Sequence, residues 1–113
     1  MSEIREKIEY LYGLSKDDLH NENNAAGIFE EFVNQLDSGA LRAAEMNGSG
    51  WIVNEWVKKG ILLGFRIGKV EDMSNGEFVY FDKSTYPLKN ISLQHNIRVV
   101  PGGTSMRRGA YIS

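Results

Sequence analysis

The sequence has no cysteine among its 113 residues. It therefore cannot form a disulfide framework, a thiolate zinc site or a cysteine nucleophile. An excess of either charge is also missing, because 13 basic residues stand against 15 acidic residues. That balance gives no electrostatic footprint for nucleic acid, and no polybasic segment suggests a membrane surface. The composition, with 42% hydrophobic and 25% charged residues, is typical of one small globular domain.

Long apolar runs are missing as well. The longest apolar run, residues 60–65, is far too short to cross a bilayer. The N-terminus has charges at helical spacing instead of the apolar segment of a signal peptide. We therefore expect a soluble protein of the cytoplasm.

Three stretches have the apolar spacing of amphipathic helices. Residues 2–12 predict the first helix, and a stripe over residues 28–36 predicts the second, which ends at Gly39. Asn54 is expected to cap a third helix that runs to about residue 66. The first half of the chain is therefore predicted to be mainly helical.

Two features of this half do not follow from the apolar spacing. Residues 15–24 show no periodicity and predict a turn. Gly60 and Gly64 lie four residues apart in the third helix, where each costs roughly 1 kcal/mol relative to alanine. They either form a smooth strip that another backbone can approach closely or are simply tolerated packing residues.

The β-prone runs are short and come mainly in the second half. Two of them flank an Asn47-Gly48 turn and predict a hairpin. Four runs are expected to be strands: residues 41–45, 51–53, 77–82 and 97–100. Four aromatic residues in apolar patterns are assigned to the core: Trp51, Trp56, Phe65 and Phe81. Helices followed by short strands indicate an α+β fold.

Residues that could carry chemistry are few. His20 and His95 stand alone, so no metal site is predicted. No nucleophile or phosphate-loop motif is present. The glycine-rich turn at residues 101–105 either cradles an anion with its backbone N–H groups or merely reverses the chain. Taken alone, these features indicate nothing sharper than a small α+β domain.

Four segments, however, resemble one enzyme family in the same order along the chain. They are residues 36–45 (LDSGALRAAE), 51–66 (WIVNEWVKKGILLGFR), 80–83 (YFDK) and 98–112 (RVVPGGTSMRRGAYI). The sequence is similar here to the N-terminal part of the tetrahydrodipicolinate N-succinyltransferases. The likeness runs from about residue 30 to the C-terminus, while the first thirty residues fit only in being helical.

The resemblance implies a specific reaction and architecture. Family members transfer a succinyl group from succinyl-CoA to the amino group of ring-opened tetrahydrodipicolinate, in the diaminopimelate route of lysine biosynthesis. They are homotrimers whose catalytic domain is a left-handed parallel β-helix of hexapeptide repeats. Succinyl-CoA is then a co-substrate, and no permanently bound cofactor is expected. Residues 1–101 would form the N-terminal α+β domain, and residues 102–113 the truncated start of the first β-helix coil.

The resemblance also assigns residues. Arg98 corresponds to the family's arginine that contacts the dicarboxylate, although its sequence context alone indicates a surface arginine on a short strand. A guanidinium suits this role because its fork of donors matches a carboxylate and stays charged. Arg107 and Arg108 either meet CoA phosphates or lie solvated at the coil entrance, and the solvated interpretation is favoured.

No residue of this chain is assigned a catalytic role, so we expect the chain to be inactive alone. Residues 102–113 are expected to be mobile or to pair with another chain, because an orphan strand leaves its backbone groups unpaired. The alternative to an enzyme fragment is a free-standing, non-catalytic interaction or oligomerisation module that has lost the β-helix.

Overall fold

Within residues 2–112 the chain folds as four α-helices and two short antiparallel strand pairs, the first of which lies between the third and fourth helices, and the α+β prediction is confirmed. A computed structural model describes residues 2–112. Its helices are α1 Ser2–Tyr12, α2 Lys16–His20, α3 Ala25–Ser38 and α4 Glu55–Ile67. Its strands are β1 Ala44–Asn47, β2 Gly50–Val53, β3 Val70–Asp72 and β4 Phe81–Lys83, and a 3-10 helix spans Leu93–His95. The strands form two separate antiparallel pairs, β1 with β2 and β3 with β4.

The core lies where the apolar faces of α1, α3 and α4 meet. Burying each large aliphatic or aromatic side chain in such a core stabilises the fold by about 1.5–3 kcal/mol. The fully buried large side chains come from these three helices: Ile8, Leu11, Phe32, Val33, Val57 and Leu63. The helical spacing of the sequence therefore predicts the faces that pack together.

The ends of the helices follow local chemistry. Gly39 ends α3 with a φ of 85°, a left-handed conformation that a Cβ atom disfavours. The predicted turn at residues 15–24 is partly wrong, because it contains the short helix α2. The Ser15 side chain accepts a hydrogen bond from the Asp18 N–H and so starts this helix. Leu19 in α2 is buried, which one apolar residue in a polar stretch does not reveal.

Aromatic rings pack directly against Gly60 and Gly64, the two glycines of α4. A Cβ atom on Gly60 would lie 2.7 Å from Phe32 Cε1, and one on Gly64 would lie 2.6 Å from Phe29 Cζ. Tyr86 also packs against Gly64, and its hydroxyl donates a 2.6 Å hydrogen bond to the Ile61 carbonyl oxygen. The glycines therefore admit large side chains against the helix, and the predicted approach of another backbone is wrong.

The first hairpin is present, but its turn and its first strand are shifted. Asn47 pairs with Gly50, so the two-residue turn is Gly48-Ser49 instead of Asn47-Gly48. Gly48 has a φ of 50°, and a positive φ at the first turn residue alone is the pattern of a type II′ turn. β1 begins three residues later than predicted because Leu41 is buried in the core instead of pairing in the strand.

Only one of the four aromatic residues assigned to the core is buried. Trp56 is 9% exposed, whereas Trp51 is 71% exposed. Phe65 and Phe81 are also largely exposed. The assignment is wrong for these three. Trp51 and Phe81 lie in two-stranded hairpins that offer no second layer to cover both faces, and Phe65 lies on α4, where a small domain leaves much apolar surface in water.

The strands predicted in the second half are only partly present. Of residues 77–82, only the end belongs to a strand, since β4 covers Phe81–Lys83 and pairs with β3. Residues 97–100 are not a strand, and no β-partner for them occurs within residues 2–112. An extended segment becomes a strand only when another segment accepts its hydrogen bonds, which a single β-prone run cannot specify.

Candidate substrate-binding site and C-terminal junction

Arg98 lies in an irregular loop, residues 90–105, that contains only the 3-10 helix as regular structure. Its side chain is exposed, and within residues 2–112 no hydrogen bond or ion pair engages its guanidinium. An arginine in this state has all five N–H donors available to a ligand. The geometry is compatible with carboxylate binding, and the assigned role of Arg98 remains a prediction.

The two ends of this loop meet each other. Leu88 and Arg107 form an antiparallel bridge, flanked by a 2.8 Å hydrogen bond from the Lys89 N–H to the Met106 carbonyl oxygen. A second 2.8 Å bond joins the Arg108 N–H to the Pro87 carbonyl oxygen. The loop therefore leaves and re-enters the domain at the same place.

Asp37, in the last turn of α3, contacts both ends of the loop. Lys89 Nζ donates to Asp37 Oδ1 at 2.6 Å and to the Asp37 carbonyl oxygen at 2.9 Å. The Gly109 N–H donates to the same Oδ1 at 2.8 Å. Burial alone would raise the pKa of the Asp37 carboxyl, but these hydrogen bonds and the charges of Lys89 and Arg108 together lower it. Asp37 is therefore held as an anion.

Arg108 is fixed on the exposed side of α3. Its guanidinium donates to both carboxylate oxygens of Glu30, at 2.6 and 3.2 Å, and also to Asn34 Oδ1. The hydrogen bond that Arg108 donates to Glu30 raises the pKa of Arg108, against a smaller opposing effect of burial. Glu30, Asn34 and Asp37 share one stripe of α3, and this stripe binds residues 108 and 109.

Arg107 points the other way, to the second hairpin. Its guanidinium lies 3.0 Å from Asp82 Oδ2 and donates to the Tyr86 carbonyl oxygen at 3.2 Å. Arg107 and Arg108 are thus each paired with a carboxylate of this domain, and because the Arg107 side chain is still 37% exposed, the favoured solvated interpretation stays a prediction. Whether either contacts CoA remains a prediction.

The segment that follows is also in contact with the domain. The Tyr111 ring lies 2.8 Å from where a Cβ atom of Gly39 would stand, and the Arg42 guanidinium lies 4.9 Å from the centre of that ring. Residues 106–111 therefore contact this domain, in part through acceptors on α3, while the expectation that residues 102–113 are mobile or pair with another chain stays a prediction. Ser113 lies outside the described residues.

The glycine-rich turn borders a small open pocket. Gly102, Gly103, Thr104 and Ser105 line a space of about 250 Å³, together with Arg107 and residues of the second hairpin. Arg107 pairs with Asp82, so its positive charge is already compensated at the pocket. The choice between an anion cradle and a simple chain reversal therefore stays open.

The two histidines have separate surroundings. His95 Nδ1 accepts a 3.0 Å hydrogen bond from the Ser92 N–H and so closes the 3-10 helix. His20 lies at the end of α2. No group of three or more metal-binding side chains occurs within residues 2–112. No helix in the same part of the chain is long and apolar enough to span a bilayer.

The fold and the site thus define a class: a small α+β domain with an exposed arginine on a loop that is tied to a helix end. Comparison with known proteins gives the family. A family model described as Tetrahydrodipicolinate N-succinyltransferase N-terminal matches residues 3–67, more than half of the chain. The chain belongs to this family, as the resemblance indicated. The match begins at residue 3, so the expectation that the first thirty residues fit only as helix is wrong.

Curated relatives carry the corresponding enzyme name. A 2,3,4,5-tetrahydropyridine-2,6-dicarboxylate N-succinyltransferase of Methylococcus capsulatus is 44% identical over 87 residues, covering 74% of this chain and 32% of the relative. A protein of the same name from Pectobacterium atrosepticum is 41% identical over 100 residues, covering 80% of this chain and 35% of the relative. The chain therefore spans about a third of the length of the curated relatives it matches.

Sequence reasoning missed the residues that organise the junction, above all Asp37 and Lys89. One signal was available. A carboxylate in the last turn of a helix faces the negative end of the helix dipole, so Asp37 needs a cation nearby. Because the cation comes from Lys89, fifty-two positions further along, the sequence does not identify the partner.

Proposed function

We propose that this chain is the N-terminal part of an acyltransferase that moves a succinyl group from succinyl-CoA to tetrahydrodipicolinate in lysine biosynthesis. The observation that carries the proposal is the family match over residues 3–67, supported by relatives that bear this enzyme name. Within the enzyme, the chain supplies assembly surface and one substrate-binding residue, Arg98.

The role of Arg98 follows from its chemistry. Tetrahydrodipicolinate is a dicarboxylate, and a guanidinium binds a carboxylate through two parallel N–H···O bonds. Arg98 is exposed and has no partner within residues 2–112, so binding does not have to break an existing ion pair. Arg107 and Arg108 differ from Arg98 in this respect. To bind a CoA phosphate, Arg107 would have to break its ion pair with Asp82, and Arg108 its ion pair with Glu30.

The rest of the reaction lies outside this chain. We propose that a left-handed β-helix of hexapeptide repeats, starting near residue 102, supplies the catalytic groups and most of the CoA-binding surface. Transfer is then direct between the two bound substrates, without a covalent enzyme intermediate or a permanently bound cofactor. The complete enzyme would be a cytoplasmic homotrimer. The isolated chain would be inactive because acyl transfer requires both reactants in one geometry.

The test places this chain in front of the remaining two thirds of the Pectobacterium atrosepticum relative and measures release of free CoA with each substrate varied. The hybrid enzyme is expected to turn over, and the isolated chain is not. Arg98→Ala in the hybrid should lower kcat/KM for the dicarboxylate about ten- to hundred-fold, because it removes a charge-assisted hydrogen bond.

Two control variants sharpen this test. Arg5→Ala removes an exposed arginine of α1 that pairs with Glu9, and it should leave the kinetics unchanged. Arg98→Lys keeps the charge but not the fork of donors, so it should recover only part of the loss. Unchanged dicarboxylate kinetics in Arg98→Ala, or a weakened affinity for succinyl-CoA instead, would contradict the proposed role.

A second candidate function is a non-catalytic interaction or oligomerisation module. One observation favours it. In the first hairpin Met46 lies opposite Trp51, and both side chains are exposed on a surface that is shared by Val53. Exposed apolar patches of this kind mark contact surfaces. Self-association of the isolated chain, combined with a hybrid that assembles but has no activity, would favour the module.

A further inference from the structure

Among the described residues, 2–112, the loop that carries Arg98 has no hydrogen bond to the rest of the domain. Within residues 2–112, every hydrogen bond of residues 90–105 joins two members of the loop, as in the Ser92–His95 pair. The position of Arg98 therefore depends mainly on where the two ends of the loop are anchored. Both anchors lie close to one side chain, Asp37.

Asp37 ties the loop ends to α3 as well as to each other. Lys89, directly before the loop, and Gly109, four residues after it, donate to the same carboxylate oxygen at 2.6 and 2.8 Å. The Lys89 side chain is only 10% exposed, so this ion pair is shielded from water better than an ordinary surface pair. Lys89 Nζ also binds the Asp37 carbonyl oxygen at the end of α3. The three contacts form one clamp, which we call the Asp37 clamp.

We propose that Asp37 and Lys89 are positioning residues for Arg98, and that the Asp37 clamp holds the base of its loop on the end of α3 so that Arg98 meets the dicarboxylate in one place. This inference rests on the function proposed above. It adds two residues that contact neither substrate but determine how well Arg98 can bind it.

The physical reason is the entropy of the loop. A loop without hydrogen bonds to the rest of its domain samples many conformations, and closing its ends restricts them. The backbone bridge between Leu88 and Arg107 joins the two ends to each other but does not fix them to a helix. The Asp37 clamp connects both ends to α3 at one side chain, whereas the Arg108–Glu30 pair connects only the later end. Without the Asp37 clamp, Arg98 would still be charged and exposed, but bound substrate would have to restrict the loop at a cost in affinity.

The first experiment measures the position of the loop without using activity. Because the chain has no cysteine, Glu31→Cys on α3 and Val100→Cys near Arg98 introduce the only two sites for spin labels. Pulsed electron resonance then gives the distance distribution between α3 and the loop. With Asp37→Asn, which keeps the size of the side chain but removes its charge, we expect the distribution to widen about two-fold or more.

A matched control and a second clamp variant accompany it. Glu9→Gln makes the same chemical change in the exposed Arg5–Glu9 pair of α1 and should leave the distribution unchanged. Lys89→Met removes the other charge while Asp37 still accepts the Gly109 N–H, so it can replace Asp37→Asn if that variant does not fold. A distribution that stays as narrow as in the unmodified clamp would overturn the proposal.

The second experiment tests the connection to Arg98 in the hybrid enzyme described above. Asp37→Asn should raise KM for the dicarboxylate about three- to ten-fold and leave KM for succinyl-CoA within about two-fold. The same substitution made together with Arg98→Ala should cause no further rise, since the residue that it positions is gone. A residue that acts only on general stability would have the same effect in both backgrounds.

The outcomes separate this inference from the proposed function. Asp37→Asn could raise KM for the dicarboxylate equally in the hybrid with Arg98 and in the hybrid with Arg98→Ala, or in neither. Either result overturns the positioning role of Asp37 but leaves the substrate-binding role of Arg98 intact. If Arg98→Ala alone changes nothing, the substrate role of Arg98 fails, and the positioning role fails with it. A rise of KM for the dicarboxylate that occurs only in the hybrid that retains Arg98, together with a wider distance distribution, supports the proposal.

Discussion

Residues 2–67 and residues 68–112 are stabilised in different ways. Of the fourteen buried hydrophobic residues in the described chain, thirteen lie in the first region, and Tyr86 alone lies in the second. The second region is attached instead by polar contacts, among them Lys89 to Asp37 and Arg108 to Glu30. The helical region therefore has its own core, whereas the C-terminal region depends on the surface that the helices present.

The largest effect expected from this difference comes from truncating an aromatic ring in each region. Phe32 is fully buried between Phe29 and Trp56, whereas Phe81 is 64% exposed. Phe32→Ala should lower the free energy of unfolding by about 3–5 kcal/mol, because it leaves a cavity in the core. Phe81→Ala should change it by less than about 0.5 kcal/mol. Urea denaturation of the two variants measures both values, and equal losses would refute the comparison.

A smaller effect is expected when a methyl group is added to a helical glycine. A Cβ atom on Gly60 would collide with the ring of Phe32, which cannot move because it is fully buried. Gly60→Ala should lower the free energy of unfolding by about 1–3 kcal/mol through overpacking. This loss should appear although alanine by itself favours the helix by about 1 kcal/mol.

Gly27 provides the matched control, since it lies in α3 and no atom stands within 4 Å of its would-be Cβ. Gly27→Ala should therefore raise the free energy of unfolding by up to about 1 kcal/mol. Thermal melts of the two alanine variants give shifts of opposite sign if the helical core is as tightly packed as the structure indicates. Two shifts in the stabilising direction would mean that Phe32 can move aside.

The smallest effect concerns the polar attachment and depends on pH. Hydrogen bonds from Lys89 and Gly109 lower the pKa of Asp37 in the folded chain. Its contribution is therefore present above the unfolded pKa of about 3.9 and is lost as the pH falls through the lower folded value. At pH 7, Asp37→Asn should lower the free energy of unfolding by about 1 kcal/mol. The difference should shrink below about pH 4.

Urea denaturation at a series of pH values measures this convergence. Glu9→Gln is the control, because it removes a carboxylate from an exposed pair that contributes little. A difference between Asp37→Asn and the unchanged chain that persists undiminished in acid would show that the carboxylate charge is not what holds the C-terminal region.

The predictability of the fold follows the same division. The spacing of Ile4, Ile8 and Leu11 predicts both the extent of α1 and its buried face, because a helix satisfies its own backbone hydrogen bonds. Residues 97–100 have an equally clear β-prone composition and yet form no strand. A strand needs a partner from elsewhere in the chain, and composition does not identify that partner.

The site was predictable only where a residue acts alone. The sequence context of Arg98 indicates a surface arginine, and its side chain is exposed, whereas its substrate role rests on the resemblance and stays a prediction. Arg107 and Arg108 were expected to be solvated, but their pairing with Asp82 and Glu30 depends on contacts between distant parts of the chain. Long-range ion pairs of this kind become visible only when the fold is known.

The packing of Tyr86 on Gly64 has a consequence for how such chains can diverge. A Cβ atom at position 64 would lie 2.6 Å from Tyr86 Cζ, so neither residue can be exchanged freely while the other is kept. A lineage that replaces Gly64 must accept a smaller residue at position 86 and a shift of the Phe29 ring, and it then loses the hydrogen bond to Ile61. We therefore expect these two positions to covary among descendants of a common ancestor, although twenty-two positions separate them.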